Sequence, residues 1–70
     1  MRQDDGDELF GEAALRLGYV NVRQLYAALT KQRRAERAGR EVPRIGAILI
    51  EMGAMTPEQV SDVLDELARG

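Results

Sequence analysis

The chain repeats itself at an offset of 35 residues, and this repeat restricts its fold more than any other feature. Gly11-Glu-Ala-Ala-Leu-Arg-Leu-Gly18 aligns with Gly46-Ala-Ile-Leu-Ile-Glu-Met-Gly53. The correspondence extends outward to Phe10 with Ile45, Val20 with Met55, Gln24 with Gln59, Leu25 with Val60, Ala28 with Val63 and Leu29 with Leu64. A repeat of this length marks a supersecondary unit that cannot bury its apolar face alone and stacks on a copy of itself. The 70 residues therefore read as one small domain made of one unit used twice.

The local pattern of each unit is helical. Met1 to Gly6 is polar and acidic with nothing to bury, which predicts a flexible leader over residues 1–6. Asp7 then caps a helix running through Leu17, with Phe10, Ala13, Ala14 and Leu17 on one face and Gly18 as its left-handed stop. After a turn at Tyr19 and Val20, Asn21 caps a second helix reaching about Ala38 and stopping at Gly39. Its apolar stripe is Val22, Leu25, Ala28, Leu29 and Gln32, while Arg23, Lys31, Arg34 and Arg37 face water. Gly39 to Pro43 links the units, with Pro43 in the first turn of a third helix whose buried stripe is Ile45, Ile48, Leu49 and Met52. Gly53 repeats the stop. Thr56-Pro57-Glu58-Gln59 is a helix start in which Gln59 closes a capping box, and Val60, Val63, Leu64 and Leu67 follow on the fourth helix. No segment alternates with a period of two for long enough to require a strand. The expected fold is all-α: four short helices as two tandem helical hairpins, a single helical domain over 7–69 whose repeats 9–32 and 44–67 are joined by a basic linker.

A core of this size supplies only about 3–5 kcal/mol, and small domains commonly add disulfides, metals or partners. The absence of cysteine and histidine removes disulfides and His/Cys zinc sites, which leaves tight helix packing or self-association and favours a homodimer. Tyr26, Ile50 and Met55 are the apolar residues that one double hairpin leaves uncovered. Enzyme chemistry has little to draw on. There is no Cys or His nucleophile or base, Thr30, Thr56 and Ser61 have no base beside them, and pairs such as Asp62 with Asp65 or Glu66 are solvated charges on a polar helix face. The longest apolar stretch, around Ile45 to Ile50, is far below the roughly 20 residues of a membrane span, and the expected location is the cytoplasm.

The formal net charge of −2 hides a strong segregation. Lys31, Arg33, Arg34, Arg37, Arg40 and Arg44 are six of the ten basic residues, whereas acids gather at Asp4, Asp5, Asp7 and Glu8 and again at Glu58, Asp62, Asp65 and Glu66. Clustered arginines offer forked donors that suit phosphate oxygens. DNA is not the expected target, because the net negative charge and the acidic first and last helices oppose phosphate attraction.

The segment Arg44-Ile-Gly46-Ala-Ile-Leu49-Ile-Glu-Met-Gly53, followed by Met55, Gln59 and Val60, carries the most specific pattern. It resembles the MshEN-type N-terminal domain of type II secretion and type IV pilus assembly ATPases. That domain's tandem motif opens on Arg-Leu-Gly, runs through an apolar pair to a second glycine and ends in Leu-x-x-Ala-Leu-x-x-Gln. The resemblance spans about Leu9 to Leu67 and implies binding of cyclic di-GMP without catalysis and without a cofactor. It places Arg44 at the position that stacks on a guanine, Gly46 and Gly53 at the two glycine positions, and Leu49 and Ile50 at the apolar pair. In the first copy it places Gly11, Leu15, Gly18 and the closing glutamine Gln32. The copies depart from the pattern in complementary ways: Leu9 stands where the first arginine belongs and Leu67 where the second glutamine belongs. A protein-interaction adaptor that keeps this fold without the ligand is the alternative expectation. In the absence of any ligand, Gly18 and Gly53 serve as helix stops, and Gly11 and Gly46 as small residues where helices cross.

Overall fold

Three glycines hold the left-handed conformation that stops a helix, with φ of 80° at Gly18, 73° at Gly39 and 79° at Gly53. Around Gly18 the amides of Gly18 and Tyr19 bond back to the carbonyls of Leu15 and Ala14; around Gly53 those of Gly53 and Ala54 bond to Ile50 and Leu49. Each pair satisfies carbonyls that the helix end leaves without a partner. The bonds at the second stop are those of the first shifted by 35 residues, so the repeat governs backbone hydrogen bonding as well as side-chain type.

The computed structural model describes residues 5–69, which form α1 (Asp5–Arg16), α2 (Val22–Arg37), α3 (Ile45–Glu51) and α4 (Pro57–Arg69). The fold is all-α, with no strand among the described residues. Helix starts recur at the same offset. Asn21 accepts from the Gln24 amide at 2.8 Å while Gln24 accepts from the Asn21 amide at 2.9 Å. Thr56 and Gln59 make the equivalent reciprocal pair at 3.1 and 3.0 Å. Each box satisfies two helix-end donors.

Two boundaries differ from the sequence expectation. Of the leader, residues 1–4 lie outside the described residues, while Asp5 and Gly6 form the first turn of α1, so Asp7 lies inside that helix instead of capping it. Pro43 stands just before α3, because Arg44 is the N-cap residue, in extended conformation with φ −69° and ψ 152°.

The main interhelical packing runs between units: α1 packs on α4, α2 on α3, and α1 and α3 on each other. Exchanging the two units maps α1–α4 onto α3–α2 and returns the central α1–α3 pair to itself. Within each unit the contact is made at a glycine. A side chain begun at Gly11 would meet the Leu25 methyls at 3.0 and 3.1 Å, and one begun at Gly46 would meet the Phe10 ring at 3.2 Å and Val60 at 3.5 Å. Gly11 and Gly46, like Leu25 and Val60, are repeat partners, but the tight contact at Gly11 is with Leu25 of its own unit, whereas at Gly46 it is with Phe10 of α1 and Val60 stands at ordinary contact distance. Phe10, Ala13, Ala14, Val20, Ala28, Ile45, Ile48, Leu49, Met55 and Val63 form one buried cluster.

Several apolar residues fall differently from their sequence placement. Met55, expected at the surface, is 4% exposed, because the turn after Gly53 folds it under the core as the equivalent turn folds Val20. Leu17 follows the last residue of α1 and Val22 opens α2, so both sit at the edge of their stripes and are exposed; Leu64 on α4 is exposed as well.

Tyr19 in the first turn donates to Asp62 Oδ2 at 2.9 Å, tying the α1–α2 turn to α4. This hydrogen bond is the main reason the phenol's pKa is raised above its ordinary value of 10.0. A raised folded-state pKa means that the bond's contribution is present below pH 10.0 and lost as pH rises through the folded value. Thermal melts between pH 9 and 11 are therefore expected to show an alkaline loss of stability in the parent that is smaller in Tyr19→Phe.

Candidate functional site

Asp7 is the hub of the polar site, although nothing in its local sequence marks it for that role. It lies in the first turn of α1 facing the start of α3, and its side chain is 13% exposed. Oδ1 accepts from Arg44 Nε at 3.2 Å and from the Ile45 amide at 3.4 Å. Oδ2 accepts from Gln32 Nε2 at 2.8 Å, and the same nitrogen donates to the Pro43 carbonyl at 3.0 Å. One carboxylate thus joins α1, α2, the linker and α3 across up to 38 residues of chain.

The arrangement answers two local needs. Arg44 is the N-cap of α3 and makes no side-chain cap bond, so the helix's first amide requires an acceptor from elsewhere, and Asp7 supplies it. Gln32 lies on the inner stripe of α2 and is half-buried, where its amide hydrogens require acceptors; Asp7 and Pro43 provide both. The Arg44 guanidinium is different. Its side chain is 77% exposed, Asp7 engages its Nε, and its Nη2 lies close over Gly6 of α1. Removing the hub is expected to cost about 1 kcal/mol, the usual value of a lost helix cap, with little added from so exposed an ion pair. Urea denaturation of Asp7→Ala against Asp7→Asn, which keeps an acceptor, checks this: the alanine variant is expected to have the lower midpoint.

Of the residues singled out by sequence, Arg44 and Gln32 meet at Asp7, and Gly46 lies one turn of chain away in α3. The others do not converge there. Gly11, Gly46 and Leu49 are buried, Leu15 is half-buried against the core, and Leu49 is wholly enclosed. Gly18, Gly53 and Ile50 are surface residues at the far ends of α1 and α3 from Arg44. Sequence reasoning placed Asp7 as the cap of the first helix and missed its role as the hub of this site. The available signal was an unpaired glutamine on the apolar stripe of α2 together with a third helix lacking a capping side chain.

Beside the hub, α2, the linker and α3 border an open cleft of about 350 Å³. Lys31, Arg34 and Arg40 line it with Glu41 and Glu51, over apolar surface from Ala35, Pro43 and Ile48. Pro43 belongs to both places, since its carbonyl accepts from Gln32. Among the described residues the ion pair formed is Arg44–Asp7, and the three cations of the cleft form none.

No protein-family model, curated protein or solved structure matches this chain. No helix among the described residues is long and apolar enough to cross a membrane.

Proposed function

We propose that this chain is a non-enzymatic regulatory module of the cytoplasm that binds a cyclic dinucleotide, with cyclic di-GMP as the ligand. One observation carries the reading. Arg44 and Gln32, the polar residues that the second and first copies respectively retain, share a single carboxylate, so two half-signatures make one composite site. The planar guanidinium, on a side chain that is largely exposed, offers a face for purine stacking and terminal N–H groups for phosphate or a base edge. The adjoining cleft is net positive, with Lys31, Arg34 and Arg40 against Glu41 and Glu51, and favours a phosphate, and Pro43 continues the surface from one feature to the other. Asp7 fixes Arg44 through Nε and thereby lowers the ordering cost of presenting the rest of the group.

Calorimetric titration with cyclic di-GMP, beside cyclic di-AMP and GMP, tests the proposal. Saturable binding of cyclic di-GMP that exceeds both controls is the expected result; heats indistinguishable from dilution overturn it.

The second reading is an interaction adaptor that keeps the fold and binds protein alone. Tyr26 and Val22, 68% and 70% exposed on the same side of α2, favour it. Under this reading the parent has no nucleotide affinity, and substituting Tyr26 disrupts partner capture.

A further inference from the structure

The outer faces of α2 and α4 are repeat-related yet oppositely charged. At 100° per residue, Arg23, Tyr26, Arg33, Arg34 and Arg37 share the side of α2 opposite the buried Ala28 and Ala35, and all five are exposed. The corresponding side of α4, opposite the buried Val63, presents Glu58, Asp62 and Asp65, all exposed, with Leu64 at its edge and one cation, Arg69, in the last turn. Arg23 and Glu58, both on these faces, occupy equivalent positions 35 residues apart. The basic outer face of α2 and the mainly acidic outer face of α4 are thus two complementary surfaces on one molecule.

Their placement determines what such surfaces can do. Because α1 and α3 pack on each other, with α4 on α1 and α2 on α3, the two charged helices are the outer ones, separated by the central pair. Docking α2 on α2 or α4 on α4 opposes like charges. Docking α2 of one molecule on α4 of another pairs basic with acidic and covers the exposed Tyr26 and Val22. It also leaves a basic face at one end of the pair and an acidic face at the other, which is a heterologous, non-closing contact.

We propose that the chain self-associates head to tail, the basic α2 face of one copy receiving the acidic α4 face of the next. This is an open association, in contrast to the homodimer expected from sequence, and it does not depend on any nucleotide. Asp62 is engaged by Tyr19, so Glu58 and Asp65 are the acids to alter.

Sedimentation equilibrium from 20 µM to 1 mM, in low salt and in 0.5 M NaCl, tests it with two neutralised variants. These are Glu58→Gln with Asp65→Gln, and Arg23→Gln with Arg33→Gln, each with circular dichroism as the folding control. The parent in low salt is expected to show an average mass that climbs past the dimer with concentration, and to fall toward monomer in 0.5 M NaCl, where charges are screened beyond about 4–5 Å. Each variant alone is expected to be monomeric. An equimolar mixture is expected to stop at dimer mass, because each variant keeps one intact face. A parent that is monomeric throughout, that stops at dimer, or that stays monomeric while binding duplex DNA through α2 overturns the proposal; so does a mixture no heavier than its components.

Discussion

Leu49→Ala is expected to leave much of the chain unfolded at 25 °C. Leu49 is fully enclosed at the junction of α3 with the rest of the core, and its carbonyl also receives the Ala54 and Met55 amides after the Gly53 stop. Truncating a buried leucine costs about 2–5 kcal/mol. A domain of this size holds only about 3–5 kcal/mol in total, so the loss is comparable to the whole. Far-UV circular dichroism should show a helical signal greatly reduced relative to the parent and recovering with a stabilising osmolyte. A variant that melts cooperatively within a few degrees of the parent would mean that the enclosed cluster around Leu49 is not what holds the helices together. The repeat partner Ala14 is equally enclosed but has only a methyl to lose. The two copies thus contribute unequally to a core that they share.

Arg44→Ala is expected to weaken cyclic di-GMP binding by about 10- to 150-fold, equivalent to the 1.5–3 kcal/mol of hydrogen bonds to a charged group. Folding should change little, because the Arg44 side chain is mostly exposed and the Ile45 amide keeps its bond to Asp7. Calorimetry on parent and variant, with thermal melts alongside, separates the ligand effect from any stability effect. Full-strength binding by the variant would move the site away from the Arg44–Gln32 composite even if the ligand is right.

The helical architecture was legible because its signals are local and occur twice. Each glycine stop needs only a positive φ, each capping box only a polar pair three residues apart, and both recur where the 35-residue offset puts them. Burial was legible where the stripe is central, as at Phe10, Ala28, Ile45 and Val63, and failed at its margins. Leu17 and Val22 belong to a periodic pattern whose outermost members lie where a helix ends or starts, and periodicity does not say how far the neighbouring helix extends. Met55 failed in the opposite direction, because its burial depends on the turn after Gly53 and not on any helix face.

The candidate site was legible in its members and not in its assembly. Arg44 and Gln32 stood out as polar survivors of two imperfect copies, but their meeting depends on α2 packing against α3 and on Asp7 arriving from α1. Asp7 stood out among Asp4, Asp5, Asp7 and Glu8 only as a helix cap, and its role as hub was not legible, since that is decided by the rotation of α1 against the start of α3. Asp7 also falls outside the repeat symmetry, because Val42 stands 35 residues later; the polar hub has no second copy for the pattern to reveal.

The most direct measurement is a ¹H–¹⁵N correlation spectrum of the labelled protein recorded during addition of cyclic di-GMP. Saturating shifts are expected at the Arg44 Nε–H, the Gln32 side-chain amide and the backbone amides of Arg44, Ile45 and Gly46, continuing to Arg40 and Glu41 at the cleft, with α4 amides unmoved. A spectrum that does not change at millimolar ligand, or one whose shifts centre on residues away from Arg44 and Gln32, would contradict the composite site.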